Sequence, residues 1–213
     1  MNLIILGPQG SGKGTQASLL VEKKNLYHLE TGKILRNEMA QKTEMGLKAS
    51  SFVNQGKLVP DEIIVEILSH NLNEENFKKG ILFDGFPRSL AQAELLEKEL
   101  VKYQATIDKV IYLKISLEES IKRMMARRSC PKCHRGYNLV TIPPKNGELC
   151  DDCGIQLVAR ADENEEAIKE RLAAYQKDTA PLIDYYQQKN ILLEVNGERP
   201  IDVIHQEILD KLG

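Results

Sequence analysis

The sequence lacks several features that mark special classes of protein. Its 29 basic and 31 acidic residues leave a net charge of −2, so no overall basic field points to nucleic acid as the main partner. Its longest apolar runs, such as LIIL and VIYL, are far too short to cross a bilayer. The N-terminus has no basic stretch followed by a long apolar one, the pattern of a secretory signal. We therefore expect a cytoplasmic protein that acts without a membrane and without nucleic acid.

Cysteine is scarce and confined to one segment. All four cysteines lie between positions 130 and 153, which is unusual for a disulfide framework and normal for a metal site in a reducing compartment. Their spacing, C-x₂-C-x₁₆-C-x₂-C, is typical of structural zinc sites, in which four thiolates complete a closed tetrahedral shell. We predict one Zn²⁺ per chain, which folds a short segment with little core of its own and is held by Cys130, Cys133, Cys150 and Cys153. His134, beside Cys133, is not expected to be a ligand.

The rest of the composition is that of an ordinary globular protein, 42% hydrophobic and 28% charged. Short apolar segments alternate with amphipathic helical patterns, which predicts an α/β fold with a parallel central sheet. The predicted strands are residues 2–6, 26–29, 80–83, 109–115 and 191–195. Residues 31–72 are helical throughout and residues 129–160 are rich in strands and turns, so both stretches are predicted to be insertions into a core.

Capping signals place several helix boundaries. Asp162 with Glu165 forms a capping-box pattern that is expected to begin a long helix, and Gly56 is expected to end the third helix. The predicted helices include residues 31–41, 46–55, a helix that begins near Pro60, 89–103 and 117–128.

The stretch GPQGSGKGT follows the first predicted strand and precedes a helix. It matches G-x-x-x-x-G-K, a loop whose backbone N–H groups point at phosphate oxygens while Lys13 adds a mobile charge. The hydroxyl that usually follows the lysine and ligates Mg²⁺ is displaced, because Gly14 stands there and Thr15 comes next. We expect Mg²⁺ to be held mainly by phosphates and waters, with Asp84 orienting those waters.

Arginines form the remaining candidate site. Arg88, in DGFPR, follows a predicted strand, and its planar guanidinium can fork onto phosphate oxygens. Arg123 and Arg127 are four residues apart and are predicted to share one face of helix 117–128. Arg160 and Arg171 follow later in the chain. Phosphoryl transfer needs positioning and charge neutralisation, so several arginines that converge with one lysine suit this chemistry.

The segments GPQGSGKGTQ, TGKILR, GKLVPDE, LFDGFPRSLAQAE, ARADENEEAIKERL and TAPLIDYY together resemble the adenylate kinase family nearly from end to end. The cysteine-bearing stretch is similar to the long lid of the zinc-containing bacterial members. The resemblance implies the three-layer fold of P-loop nucleoside-triphosphate hydrolases, with a five-stranded parallel sheet. It implies a core of residues 1–30, 73–126 and 161–213, an AMP-binding insertion at 31–72 and a zinc lid at 127–160. The implied reaction is ATP + AMP = 2 ADP, with Mg²⁺ and a monomeric enzyme.

The resemblance also implies roles for individual residues. A cis bond is expected between Phe86 and Pro87, and Glu163 stands where the family usually has aspartate. The implied catalytic residues are Lys13, Asp84, Arg88, Arg123, Arg160 and Arg171. The implied ATP contacts are Gly10, Ser11, Gly12, Lys13, Gly14, Thr15, Arg127, Gly136, Tyr137 and Arg199. The implied AMP contacts are Thr31, Arg36, Lys57, Leu58, Val59, Gly85, Phe86, Pro87, Arg88, Gln92, Arg160 and Arg171.

Other functions stay open on the sequence alone. A kinase of another nucleoside monophosphate, or an AMP kinase that prefers GTP, would carry the same motifs. A more remote alternative is a nucleic-acid-binding P-loop ATPase that uses the four cysteines as a zinc ribbon. The acidic CDDC segment and the DGFPR segment count against that alternative.

Overall fold

A computed structural model describes residues 1–53, 59–133, 135–159 and 165–213. The strands are β1 (Leu3–Leu6), β2 (Tyr27–Glu30), β3 (Ile81–Asp84), β4 (Lys109–Lys114), β5 (Arg127–Ser129), β6 (Gly136–Asn138) and β7 (Leu192–Asn196). The helices are α1 (Lys13–Lys24), α2 (Thr31–Gln41), α3 (Glu44–Val53), α4 (Asp61–Ser69), α5 (Glu74–Lys79), α6 (Leu90–Val101), α7 (Leu117–Met125), α8 (Glu165–Ala174), α9 (Pro181–Gln188) and α10 (Ile201–Leu212). A π-helical turn, Tyr175–Thr179, joins α8 to α9.

Five parallel strands form the central sheet, in the order β2-β3-β1-β4-β7. Ile5 of β1 stands opposite Asp84 of β3 on one side and opposite Ile111 of β4 on the other. All four residues of β1 and of β3 are buried, because helices cover both faces of the sheet, and this is why these strands read as continuous apolar runs. The predicted α/β fold with a five-stranded parallel sheet is confirmed.

The core has two parts, one on each face of the sheet. On one face, Phe83 packs with Leu96 of α6 and Tyr186 of α9. On the other face, Leu82 packs with Leu20 of α1 and Ile208 of α10. The three layers hold β1 and β3 rigidly, so the loops that follow these strands have a fixed base. No helix of the described ranges is long and apolar enough to span a bilayer.

The prediction that one helix carries both Arg123 and Arg127 is wrong. Helix α7 ends at Met125, and Arg127 begins β5, which pairs antiparallel with β6. The helix stops because groups from the β6 end satisfy its last carbonyls: Asn138 Nδ2 donates to the carbonyl of Arg123 (2.7 Å), and the N–H of Leu139 donates to that of Ala126 (2.9 Å). Arg123 and Arg127 therefore lie on different secondary-structure elements, a helix and a strand.

The other helix predictions agree with the structure to within a few residues. Helix α2 matches residues 31–41, and α3 begins two residues before the predicted position 46. Helix α4 follows Pro60, which is its N-cap residue. The predicted helix end at Gly56 and the predicted cap at Asp162 lie outside the described residues, as does Glu163.

Candidate active site

The glycine-rich loop connects β1 to α1, as the sequence predicts. Gly7 has a φ of 152°, and a Cβ there would lie 2.7 Å from the carbonyl oxygen of Leu113, so no side chain fits. Gly12, the N-cap of α1, has a left-handed φ of 92°. The hydroxyl of Ser120 on α7 donates to the carbonyl of Gln9 (2.5 Å) and ties the loop to that helix. The loop is therefore held from both sides.

Lys13, the first residue of α1, folds back over this loop. Its Nζ donates to the carbonyl oxygens of Gly7 (2.6 Å) and Pro8 (2.9 Å). Enclosure by the protein lowers the pKa of Lys13 from 10.5 to about 8; Asp84 opposes this shift, whereas Arg127 and Arg88 add to it. Asp84, Arg88 and Arg127 therefore all lie within electrostatic range of Lys13.

Asp84 is the last residue of β3 and is 9% exposed. Its Oδ2 lies 3.4 Å from Nε2 of His28, on the neighbouring strand β2. His28 has no partner signature in the sequence, so its contact with Asp84 emerges only from the pairing of β2 with β3. The carboxylate lies at the carboxyl end of the strands, where ligands bind in open α/β sheets.

The DGFPR segment follows β3. The cis bond between Phe86 and Pro87 is confirmed. Nε of Arg88 donates to the carbonyl of Gly85 (2.8 Å), and the Arg88 side chain is exposed. Although the side chain as a whole is exposed, desolvation by the protein atoms around its guanidinium lowers the pKa of Arg88; Asp84 opposes this shift, whereas Arg171 of α8 adds to it. Arg171 therefore lies close enough for its charge to act on Arg88.

Two of the predicted AMP contacts, Thr31 and Arg36, lie on α2, which directly follows β2. Thr31 is 6% exposed, and its Oγ1 has no hydrogen-bond partner within the described ranges. Nη2 of Arg36 lies 3.3 Å from Oε1 of Glu30 in a solvent-exposed ion pair. Val59 packs against the first part of the core. Three further predicted contacts lie outside the described residues: Lys57, Leu58 and Arg160.

The side chain of Arg123 is buried rather than exposed to solvent. The residue is 5% exposed, its Nε donates to Oε1 of Glu119 (2.6 Å), and its Nη1 donates to the carbonyl of Gly197 (2.8 Å). The same guanidinium lies 3.4 Å from the carbonyl of Gly10. Arg123 thus joins the glycine loop, α7 and the turn after β7.

A cavity of about 460 Å³ opens beside the glycine loop. Its wall includes predicted residues, namely Gly10, Ser11, Gly12, Thr15, Arg123 and Arg199. It also includes residues that sequence reasoning missed: Gln16, Glu119, Lys122, Val140, Thr141, Ile142, Glu198, Pro200, Ile201 and Ile204. Among the described residues, neither Gly136 nor Tyr137 belongs to this wall. Tyr137 is 4% exposed and points to the cysteines instead.

The four cysteines come together as the spacing predicts. Their sulfur atoms all lie within 4.8 Å of one another, and the Sγ atoms of Cys133 and Cys150 are 3.6 Å apart. Four thiolates around Zn²⁺ at about 2.3 Å would stand about 3.8 Å apart, so the group is close enough to hold a metal ion. His134 lies outside the described residues.

One phenol hydroxyl lies against this cluster. The hydroxyl of Tyr137 donates to Sγ of Cys150 (3.5 Å) and accepts from the N–H of Asp151 (2.8 Å). This hydrogen bond is the main reason why the pKa of the Cys150 thiol falls to about 6.

Comparison with known proteins gives one consistent result. A family model for adenylate kinase matches residues 5–191. The chain is 43% identical over 213 residues to an adenylate kinase of Alkaliphilus oremlandii, an alignment that covers 100% of this chain and 99% of the relative. It is 44% identical over 208 residues to an adenylate kinase of Archaeoglobus fulgidus, which covers 98% and 96% of the two chains. It is also 44% identical over 213 residues to an adenylate kinase of Caldicellulosiruptor saccharolyticus, which covers 100% and 99%.

Proposed function

The chain belongs to the adenylate kinase family, and we propose that Lys13, Asp84, Arg88, Arg127 and Arg171 form the centre at which it transfers phosphate. The reaction is the reversible transfer of a phosphoryl group between ATP and AMP, which gives two molecules of ADP. The observation that supports the proposed centre is that the charges of Asp84, Arg88 and Arg127 act on Lys13, while the charge of Arg171 acts on Arg88. A phosphoryl group in transfer carries negative charge on its equatorial oxygens, and these cations can neutralise that charge without any general base.

The donor nucleotide is proposed to bind along the glycine loop. Its phosphates would lie over the N-terminus of α1, where the contacts are Gly10, Ser11, Gly12, Lys13, Gly14 and Thr15. Lys13 would exchange the carbonyls of Gly7 and Pro8 for phosphate oxygens. The cavity beside the loop, with Arg123 and Arg199 in its wall, is the proposed place of the donor base.

Mg²⁺ would enter with ATP. The carboxylate of Asp84 offers the hard oxygen that Mg²⁺ and its waters prefer, and it lies near Lys13 at the end of the loop. Mg²⁺ held there would supply positive charge beside the phosphates. Asp84 and Thr15 are the residues of this chain proposed to orient the waters of the ion.

The acceptor nucleotide is proposed to bind on the other side of Lys13, between α2 and the DGFPR segment. Arg88 and Arg36 would hold its phosphate, and Thr31 and Gln92 would contact its nucleoside. The buried hydroxyl of Thr31 has no hydrogen-bond partner among the described residues, which supports this placement, because a buried hydroxyl is costly unless a ligand completes its hydrogen bonds. The remaining proposed contacts are Lys57, Leu58, Val59, Gly85, Phe86, Pro87, Arg160 and Arg171.

We propose that the metal held by the four cysteines is Zn²⁺ and that its role is structural. Four thiolates leave no open coordination position, so the ion would supply folding energy to the segment rather than chemistry to the reaction. The apolar group around the cluster is small and includes Tyr137 and Leu157. A metal crosslink is the expected way to hold so small a unit together.

The division of the chain is proposed as a core (1–30, 73–126 and 161–213), an AMP-binding insertion (31–72) and a zinc lid (127–160). The enzyme is proposed to act as a cytoplasmic monomer that does not require nucleic acid. The near-zero net charge supports the last point. Sedimentation across a hundredfold range of concentration tests the monomer.

Arg88→Ala tests the proposed centre directly. We expect turnover with ATP and AMP to fall by about 10³ or more, because a cation that stabilises the transferring group is lost. Lys98→Ala is the matched control, since it removes an exposed cation from α6. The assay should compare AMP, UMP, CMP and GMP as acceptors and ATP and GTP as donors. Wild-type turnover in Arg88→Ala would show that Arg88 has no role in the transfer. A preference of the wild-type enzyme for an acceptor other than AMP would contradict the proposed nucleotide pair.

A further inference from the structure

The side-chain amide of Gln92 is held at both ends. Its Nε2 donates to Oδ1 of Asp61 (2.6 Å), and its Oε1 accepts from the backbone N–H of Arg88 (2.7 Å). A carboxylate can only accept and a backbone N–H can only donate, so the two partners together admit one orientation of the amide. The direction in which Gln92 presents its donor and its acceptor is therefore determined.

The contact joins two helices that are far apart in the sequence. Asp61 is the first residue of α4, and Gln92 lies in the first turn of α6. Ser89, the N-cap of α6, accepts from the N–H of Gln92 (3.2 Å) and directs its own hydroxyl at Oδ2 of Asp61 (3.4 Å). Gln92 is 8% exposed, so water competes little for these groups.

A Gln amide with a fixed orientation can read the edge of a purine. After the two contacts, Nε2 keeps one free N–H and Oε1 keeps one free lone pair. Adenine offers a donor, the 6-amino group, next to an acceptor, N1, and the free groups of Gln92 complement that pair. In a 6-oxopurine, O6 is an acceptor and N1 carries a hydrogen, so both groups are the reverse of those in adenine. The oxygen of Gln92 would then face O6 or the N–H of Gln92 would face N1–H, and such mismatches are costly at a buried site.

We propose that Asp61 is a specificity-determining positioning residue of the acceptor site, which selects 6-aminopurine over 6-oxopurine monophosphates by fixing the amide of Gln92. The inference rests on the proposed function in one respect, namely that Gln92 contacts the acceptor base. Asp61 itself acts through Gln92 and touches no substrate. Its effect is therefore expected on acceptor discrimination and not on donor binding.

The test compares Asp61→Ala with Glu62→Ala, using AMP and IMP as acceptors. Both variants remove an acidic residue from the first turn of α4, but Glu62 is exposed to solvent. In Asp61→Ala, Nε2 of Gln92 loses its acceptor, so the ratio of kcat/KM for AMP to that for IMP should fall about tenfold, with KM for ATP unchanged. In Glu62→Ala the ratio should stay at the wild-type value.

A conservative variant separates positioning from fold stability. Asp61→Asn keeps an acceptor oxygen and should retain most of the discrimination, although it loses the charge. If Asp61→Ala does not fold, Asp61→Ser serves in its place, because serine suits a helix start while its hydroxyl ends one bond too short to hold Gln92.

The outcomes are distinct. A lowered melting temperature with an unchanged AMP to IMP ratio in Asp61→Ala would overturn the inference and leave Asp61 a structural residue. An equal loss of the ratio in Glu62→Ala would also overturn it, because the cause would then be the charge of the helix terminus. If the wild-type enzyme failed to phosphorylate AMP, the proposed function itself would be wrong, independently of any Asp61 variant.

Discussion

The ammonium nitrogen of Lys13 lies 2.6 Å from the carbonyl oxygen of Gly7, which stands six residues earlier in the chain. The lysine thus links the start of the glycine loop to the first residue of α1. A nucleotide whose phosphates bind Lys13 has to displace these contacts.

Lys13→Met should reduce turnover by about a hundredfold or more, because a charge at the transferred phosphate is lost while an unbranched side chain of similar size remains. The melting temperature should change little, since the methionine can occupy the same space. A coupled assay for ADP, together with thermal denaturation, measures both quantities. Lys23→Met, at an exposed position of the same helix, is the control and should behave as wild type. Normal turnover in Lys13→Met would exclude the lysine from the reaction.

The affinity for ATP should decline as the pH rises above about 8. The pKa of Lys13 in the free enzyme is about 8, so the lysine is charged below that pH and neutral above it. Phosphate favours the charged form, so ATP binding near pH 8 should take up protons. Titration calorimetry at pH 8, in two buffers of different ionisation enthalpy, measures this uptake, and a series from pH 7 to 9.5 gives the dissociation constant.

Lys13→Arg is the control for the pH series, because arginine stays charged throughout this range. Its dissociation constant for ATP should vary less with pH than that of the wild type. A wild-type dissociation constant that stays flat from pH 7 to 9.5 would contradict the lowered pKa of Lys13.

Arg123→Ala should lower the free energy of unfolding by about 3 kcal/mol, because it leaves Glu119 and the carbonyl of Gly197 without their buried partner. Lys122→Ala removes the neighbouring cation, which also pairs with Glu119 but is exposed, and should cost less than about 1 kcal/mol. Urea denaturation of both variants measures the difference. If Arg123→Ala were no less stable than Lys122→Ala, the buried contacts of Arg123 would not be what stabilises the packing of α7 against the loop.

Tyr137→Phe should weaken metal binding by about tenfold to a hundredfold. The variant removes the hydroxyl that donates to Cys150 and accepts from Asp151, and such outer contacts orient a metal ligand. The rate of zinc release to a coloured chelator is the measurement, since it does not depend on enzymatic activity. Tyr185→Phe, which removes a hydroxyl that bonds to Glu97 far from the cysteines, should leave the release rate unchanged. Identical release rates in the two variants would refute the role of Tyr137.

Local patterns in the sequence were sufficient for much of the fold. The strands could be located because a strand that is buried on both faces needs an apolar side chain at nearly every position, as in LIIL. Helix α2 could be placed to the residue, whereas α7 was extended too far because its helical pattern continues beyond Met125. At the end of α7, the carbonyl of Arg123 accepts from the side chain of Asn138, which lies fifteen residues away in the sequence.

The sequence by itself determined the glycine loop, the cysteine spacing and the alternation of strands and helices, because each depends on residues that are close together in the chain. Only the tertiary structure decided which distant groups meet. It placed His28 against Asp84, which is fifty-six residues away, and Asp61 against Gln92, which is thirty-one residues away. It also buried Arg123 and placed Arg127 on a strand, although their spacing in the sequence predicts one face of a single helix. Strand order and helix packing set these contacts, and both arise from the burial of apolar faces over the whole chain rather than from any local motif.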